Sequence, residues 1–146
     1  MPKKLTHERE QAIREGFIKF PFPAFLGITL EELEYGSARM RLPFRRELTQ
    51  GRDYIHGGAV TALCDSAVAF ALATMIEEGE NMLTIELKIN FTAPADSDII
   101  ADAKIAHKGD YTAVGDVAVT DNQGKLIAKS LVTYFLRANK ATGNTE

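Results

Sequence analysis

The sequence predicts an α+β fold: a curved antiparallel sheet wrapped around one long central helix. Three observations carry that prediction. Residues 57–76, "GGAVTALCDSAVAFALATMI", are apolar or small almost throughout. As a helix, such a run has to be covered nearly all round. Four strand-length segments follow it in direct succession, without the strand–helix alternation that builds a parallel sheet. Two shorter strand-like segments precede it. A sheet curling around the helix covers it and leaves one sheet face free for a partner subunit.

The elements follow in order. Thr6 N-caps a helix over about 7–19, with Glu8 and Glu10 in its first turn. "PFPAF" at 21–25 breaks it. Residues 27–35 and 37–42 form two strands around a turn at Tyr35-Gly36. The loop "PFRRELTQGRDY" leads into the long helix, which ends near Gly79 as a C′ glycine. In "MLTIELKINF", Leu83, Ile85, Leu87, Ile89 and Phe91 alternate with Thr84, Glu86, Lys88 and Asn90, predicting a half-buried strand that Pro94 ends. "IIADAKIAHK" and "YTAVGDVAVT" are two strands joined across Gly109-Asp110. A turn over 121–124 leads to the last strand, "KLIAKSLVTYFL". The whole, 1–146, reads as one domain with its core at about 25–136 and a loose tail at 138–146.

Composition narrows the function. The 146 residues carry a net charge of −3, so nothing global attracts a nucleic acid or an acidic membrane. The single Cys64 cannot form an internal disulfide, which suits a reducing, cytoplasmic compartment. The N-terminus "MPKKLTHEREQ" has no apolar run behind its lysines and is no secretory signal. The apolar run at 57–76 is long enough to test as a membrane span, but it is Ala-rich and carries Asp65 near its centre, so it reads as a buried soluble helix. His7, His56 and His107 stand on separate elements without metal-ligand spacing, so neither a metal nor a cofactor is expected.

Asp65 is the one ionised side chain in the apolar run. A buried carboxylate costs several kcal/mol unless it finds donors, a cation or a proton. Its partner is either structural (an Arg or Lys of the sheet, or the Thr61 hydroxyl) or part of a site, and spacing alone weighs the two equally. Gly57 and Gly58 are ordinary at a helix start. They also leave free N–H groups open to a ligand at the positive helix end, which is how an oxyanion hole is made. Gly57 and Asp65 stand eight residues apart, about 12 Å along a helix axis. One copy of the helix therefore cannot bring both to one reacting atom. Two antiparallel copies can, so for an active site here the spacing favours a two-fold dimer with two composite sites.

"HGGAVTALCDSA" with "TIELKINFTAPA" downstream resembles the hotdog-fold acyl-CoA thioesterases of the phenylacetate-degradation type. The resemblance covers roughly residues 25–136. It implies a hotdog fold, assembly into homodimers or homotetramers, and hydrolysis of an acyl-CoA thioester at the subunit interface. Coenzyme A is then part of the substrate. By position, it implies that the Gly57 N–H binds the thioester oxygen and that His56 supports the helix start. Asp65 of the other chain attacks or activates water, and Thr84 helps hold that water. The family often has Asn six residues before the His, where this chain has Gln50, longer by one methylene.

Gly58, Ser66, Phe70, Asn90, Lys108 and Arg45 complete the candidate substrate contacts. Phe70, with Leu72 and Met75, either lines an acyl tunnel or is plain core. Arg45, Arg46 and Lys108 either meet CoA phosphates or are solvated. Cys64 is read as core, because a helical thiol beside a carboxylate has a raised pKa. Ser66, Asp65 and His56 make no triad, since adjacent helix residues point about 100° apart. Two other functions fit the pocket: a hydratase or dehydratase of acyl thioesters, which needs a second acid/base residue, and an acyl-CoA-binding module without turnover, which needs no Asp65.

Overall fold

A computed structural model describes residues 1–138 of the chain. Helix α1 spans His7–Phe17, and the Thr6 hydroxyl caps it by accepting from the Arg9 N–H. "PFPAF" does break this helix, but the break starts another. Pro21 occupies the first turn of a short helix α2, Pro21–Leu26, where its missing N–H costs nothing, and Gly27 closes it at φ 76°. Strand β1 therefore begins at Thr29, not at residue 27, and runs to Glu34; β2 spans Ser37–Leu42 across the expected turn.

Helix α3 spans Gly57–Ala73, short of the expected end near Gly79. Thr74 stops it. Its hydroxyl donates to the Ala71 carbonyl (2.6 Å) and accepts from the Gly36 N–H (2.8 Å), tying the helix end to the β1–β2 turn. Gly79, at φ 89°, instead turns the chain into the next strand. Strands β3 (Asn81–Phe91), β4 (Ile99–Lys108), β5 (Thr112–Asp121) and β6 (Leu126–Arg137) follow. They pair antiparallel with β1 and β2 in one six-stranded sheet of order β1-β2-β4-β5-β6-β3. The tail read as loose lies outside the described residues apart from Ala138, which is exposed.

The sheet curves around α3. Leu63, Cys64, Ala67, Val68, Ala71 and Leu72 of the helix are fully buried against Met40, Leu42, Ile99, Val117, Val119 and Val132. Each buried Leu or Val contributes about 1.5–3 kcal/mol. The sheet lies close to the helix at Gly115 of β5, where an added Cβ would lie 2.5 Å from a Val68 methyl. The cover is less complete than the sequence predicts. Gly58, Thr61, Ala62, Asp65, Ser66, Ala69 and Ala73 are not buried and form an open stripe along α3.

Strand β3 also departs from expectation. It is an edge strand, with Leu83 65% and Ile85 59% exposed. A bulge between Thr84 and Glu86 makes Ile85 an extra residue and reverses the alternation. Met82 and Thr84 therefore point inward on one side of the bulge, and Leu87, Ile89 and Phe91 on the other. Among the described residues, no helix is long and apolar enough to cross a membrane.

Candidate active site

Asp65 sits midway along α3, half-buried on the open stripe. Two hydroxyls reach it from the sheet. Thr84, turned inward by the β3 bulge, donates to Oδ1 at 2.8 Å, and Tyr134 of β6 donates to the same oxygen at 2.6 Å. The Tyr134 hydroxyl also lies 2.8 Å from the Asp65 carbonyl. Oδ2 has no donor among the described residues. The sheet supplies no Arg or Lys partner for it there. The Thr61 hydroxyl is spent on the Gly57 carbonyl at 2.8 Å. Burial, then the bond to Asp65, pushes the Tyr134 pKa well above the usual phenol value, so Tyr134 stays a donor at neutral pH.

These groups face a cavity of about 450 Å³. Asp65, Ser66, Thr84 and Tyr134 line one end, and Phe20, Ala69, Phe70 and Met82 line its wall. The Phe20 and Phe70 rings meet edge to face at 5.6 Å. Cys64, next in sequence to Asp65, is fully buried. Burial pushes its thiol up to about 12, with the Asp65 charge adding to the rise and a hydrogen bond with Ser130 opposing it. It is therefore a protonated core residue rather than a nucleophile.

The start of α3 is a separate place. His56 is its N-cap: Nδ1 accepts from the Gly58 N–H at 2.7 Å, and the His56 N–H donates to the Leu48 carbonyl at 2.7 Å. A Cβ on Gly58 would stand 2.9 Å from Nδ1, so the glycine is what lets the imidazole fold over the helix start. The Gly57 N–H has no acceptor among the described residues. Gly57, His56 and Gln50 line a second cavity of about 530 Å³ together with Tyr54, Phe91 and Pro94.

The predicted residues thus fall into three groups. Asp65, Thr84, Ser66 and Phe70 share the first cavity; Gly57, His56 and Gln50 share the second. Gly58 lies beside the second, its N–H taken by the cap. Asn90, Lys108 and Arg45 line neither. Asn90 points outward, beyond the bulge, and accepts from Lys88 Nζ at 2.6 Å. Lys108 ends β4 at the Gly109 turn, and Arg45 donates to the Phe25 carbonyl at 2.8 Å. Tyr134 and Arg9 have no counterpart in the sequence reading. Tyr134 is 69 residues from Asp65, and only its inward position on the last strand hints at it. Arg9 closes the far end of the first cavity, its Nη2 donating to the Ala73 and Ile76 carbonyls at 3.1 and 3.4 Å. Among the described residues, no cluster of His, Cys, Asp and Glu could hold a metal ion.

The family model of the thioesterase superfamily matches residues 53–128. A candidate esterase of Saccharolobus solfataricus is 32% identical over 113 residues, covering 77% of this chain and 75% of that protein. An acyl-coenzyme A thioesterase of Escherichia coli is 28% identical over 105 residues, covering 70% and 73%. The crystal structure of a thioesterase family protein from Silicibacter pomeroyi superposes with a TM-score of 0.84 at 28% identity, over 89% of this chain and 98% of that one.

Proposed function

The chain belongs to the thioesterase superfamily and has its hotdog fold, and from that premise we propose that it hydrolyses acyl-CoA thioesters at sites completed by a second copy of itself. The observation that carries this reading is the doubly anchored Asp65 carboxylate, Oδ1 held by Thr84 and Tyr134, at one end of an apolar cavity. The acyl-CoA thioesterase relative supports the substrate class.

Anchoring of Oδ1 leaves Oδ2 to act as general base. A water giving one hydrogen bond to Oδ2 and the other to Thr84 Oγ1 aims its lone pair at the thioester carbon. Proton transfer to Oδ2 accompanies formation of the new C–O bond. The resulting oxyanion needs a donor, and the Gly57 N–H has no other acceptor. On collapse the C–S bond breaks, the proton passes from Asp65 to the leaving thiolate, and acid and free CoA depart. Within one chain Gly57 lies about 12 Å from Asp65 along α3, so the donor comes from a partner. The open edge of β3, with exposed Leu83 and Ile85, supports a second copy there.

The test is free-thiol release from a panel of acyl-CoAs. Wild type should turn over, and Asp65→Asn should lose about 10²-fold or more in kcat with a smaller change in KM. Normal turnover by Asp65→Asn would make Asp65 structural and the mechanism wrong. Single turnover in ¹⁸O water should label the acid product and leave Asp65 unlabelled; label in Asp65 after repeated turnover would instead mean direct attack by the carboxylate.

A further inference from the structure

The cavity that holds Asp65 has a second end. Its wall follows α3 from Asp65 through Ala69 and Phe70 to Ala73 and finishes at Arg9 of α1. Arg9 is half-buried, and the Ala73 and Ile76 carbonyls pin its Nη2. Those two bonds orient the guanidinium and occupy one of its three nitrogens. Nε and Nη1 have no acceptor, and no carboxylate pairs with Arg9, among the described residues. Arg14, Arg39 and Arg41 each have an acidic partner. The carbonyls at the end of α3 carry only about half a negative charge. A cation over apolar walls is left incompletely compensated, and its Nη1 hydrogens remain open to an acceptor.

We infer that Arg9 receives an anionic group at the far end of the acyl moiety, so that the preferred substrates are thioesters whose acyl group ends in a carboxylate. The inference rests on Asp65 marking the position of the thioester carbon. From Asp65 to Ala73 the helix rises about 12 Å, and about 3 Å of contact at each end leaves about 6 Å for the acyl group. That is the span of an extended six-carbon dicarboxylic acyl group or of one ring with a para carboxylate. Width is available as well. Ala12 and Gly16 of α1 face Ala69 and Ala73 across the cavity, and nothing lies within 4 Å of where a Gly16 Cβ would sit. With Nη2 held by the two carbonyls, Nη1 gives the carboxylate one charge-assisted hydrogen bond, which an acyl group lacking the carboxylate forgoes.

The experiment compares acyl groups of equal carbon count. Calorimetry measures binding of two thioether analogues, S-(5-carboxypentyl)-CoA and S-hexyl-CoA, while thiol release measures adipoyl-CoA against hexanoyl-CoA. A second arm, 4-carboxybenzoyl-CoA against 4-methylbenzoyl-CoA, tells a ring from a chain. Wild type should favour the carboxylate-ended member by about tenfold or more in Kd and in kcat/KM. In Arg9→Met that preference should fall to about twofold or less, and Arg9→Lys should keep part of it, having the charge without the rigid guanidinium that the two carbonyls orient. Equal binding of the two analogues by wild type overturns the inference, as does a preference that survives Arg9→Met. Should Arg9→Met fail to fold, the wild-type comparison decides alone. A binding preference without thiol release from any acyl-CoA would sink the hydrolase reading and leave this one standing. Hydrolysis of both members of each pair with equal efficiency would do the reverse.

Discussion

Two hydroxyls on one carboxylate oxygen divide the work of Asp65. Tyr134→Phe keeps the ring and removes one of the two bonds to Oδ1. Kcat should fall about tenfold with KM less affected, while stability changes by about 1 kcal/mol. Steady-state kinetics beside a denaturant titration separates the roles, and a stability loss without a kcat loss would make Tyr134 merely structural. Cys64 offers a test by pH. Burial raises its thiol from 9.0 to about 12 in the folded chain. Between those values the unfolded chain releases a proton that the folded chain keeps, so stability is full below pH 9 and falls as pH rises toward 12. Tyr134, also raised, adds a decline of the same sign above its ordinary value of 10.0. Cys64→Ala should therefore lose less stability than wild type between about pH 8 and about pH 11 by denaturant titration. Equal losses would mean that the thiol is not held protonated.

At the level of elements, the closeness of sheet and central helix is set by small residues. Gly115 on β5 gives its space to Val68 of α3, whose two methyl carbons would stand 2.5 and 2.6 Å from an added Cβ. Gly115→Ala should cost about 1–3 kcal/mol through overpacking. Val68→Ala on its own should also destabilise, by opening a small cavity. The double variant should be more stable than the sum of the two losses predicts, because each change makes room for the other. Strict additivity in denaturant midpoints would show that the contact is not what limits the approach. Strand β3 shows the opposite device. Its bulge adds a residue, and that one residue lets Thr84 share the inner face with Leu87 and Ile89.

For the whole molecule, the separation of Gly57 from Asp65 makes a mixed dimer the decisive test of the proposed composite site. Gly57→Pro removes the N–H at the first position of α3, where proline is tolerated, and His56 at ψ 136° already has the conformation that precedes proline. The ring of Phe91, 3.2 Å from the new Cβ, has to give way slightly. Asp65→Ala and Gly57→Pro homodimers should each be nearly inactive. Mixing and refolding should restore about a quarter of wild-type activity, since half the dimers are mixed and half their sites are intact. A same-chain site gives no recovery, and failure with both chains folded and dimeric would end the composite-site reading.

Patterns along the chain already determined the sheet-wrapped helix, the turns at Gly36 and Gly109, and the places of Gly57 and Gly58 at the start of that helix and of Asp65 at its middle. Each of those signals is local: an apolar run, a period of two, a turn residue. The departures arise where distant segments compete for the same backbone. The end of α3 depends on Thr74 meeting Gly36, and the inward turn of Thr84 depends on a bulge against β6. Neither partner is marked in the neighbouring sequence. No local pattern marks Tyr134, whose hydroxyl the fold puts 2.6 Å from Asp65. Arg9 is placed only by the packing of α1 across the end of α3. Periodicity decides which face of an element is buried only where the register runs unbroken, as the β3 bulge shows. Only the tertiary structure decided which side chains, brought from opposite ends of the chain, meet there, because hydrogen-bond partners are chosen by distance in space and not by distance in sequence.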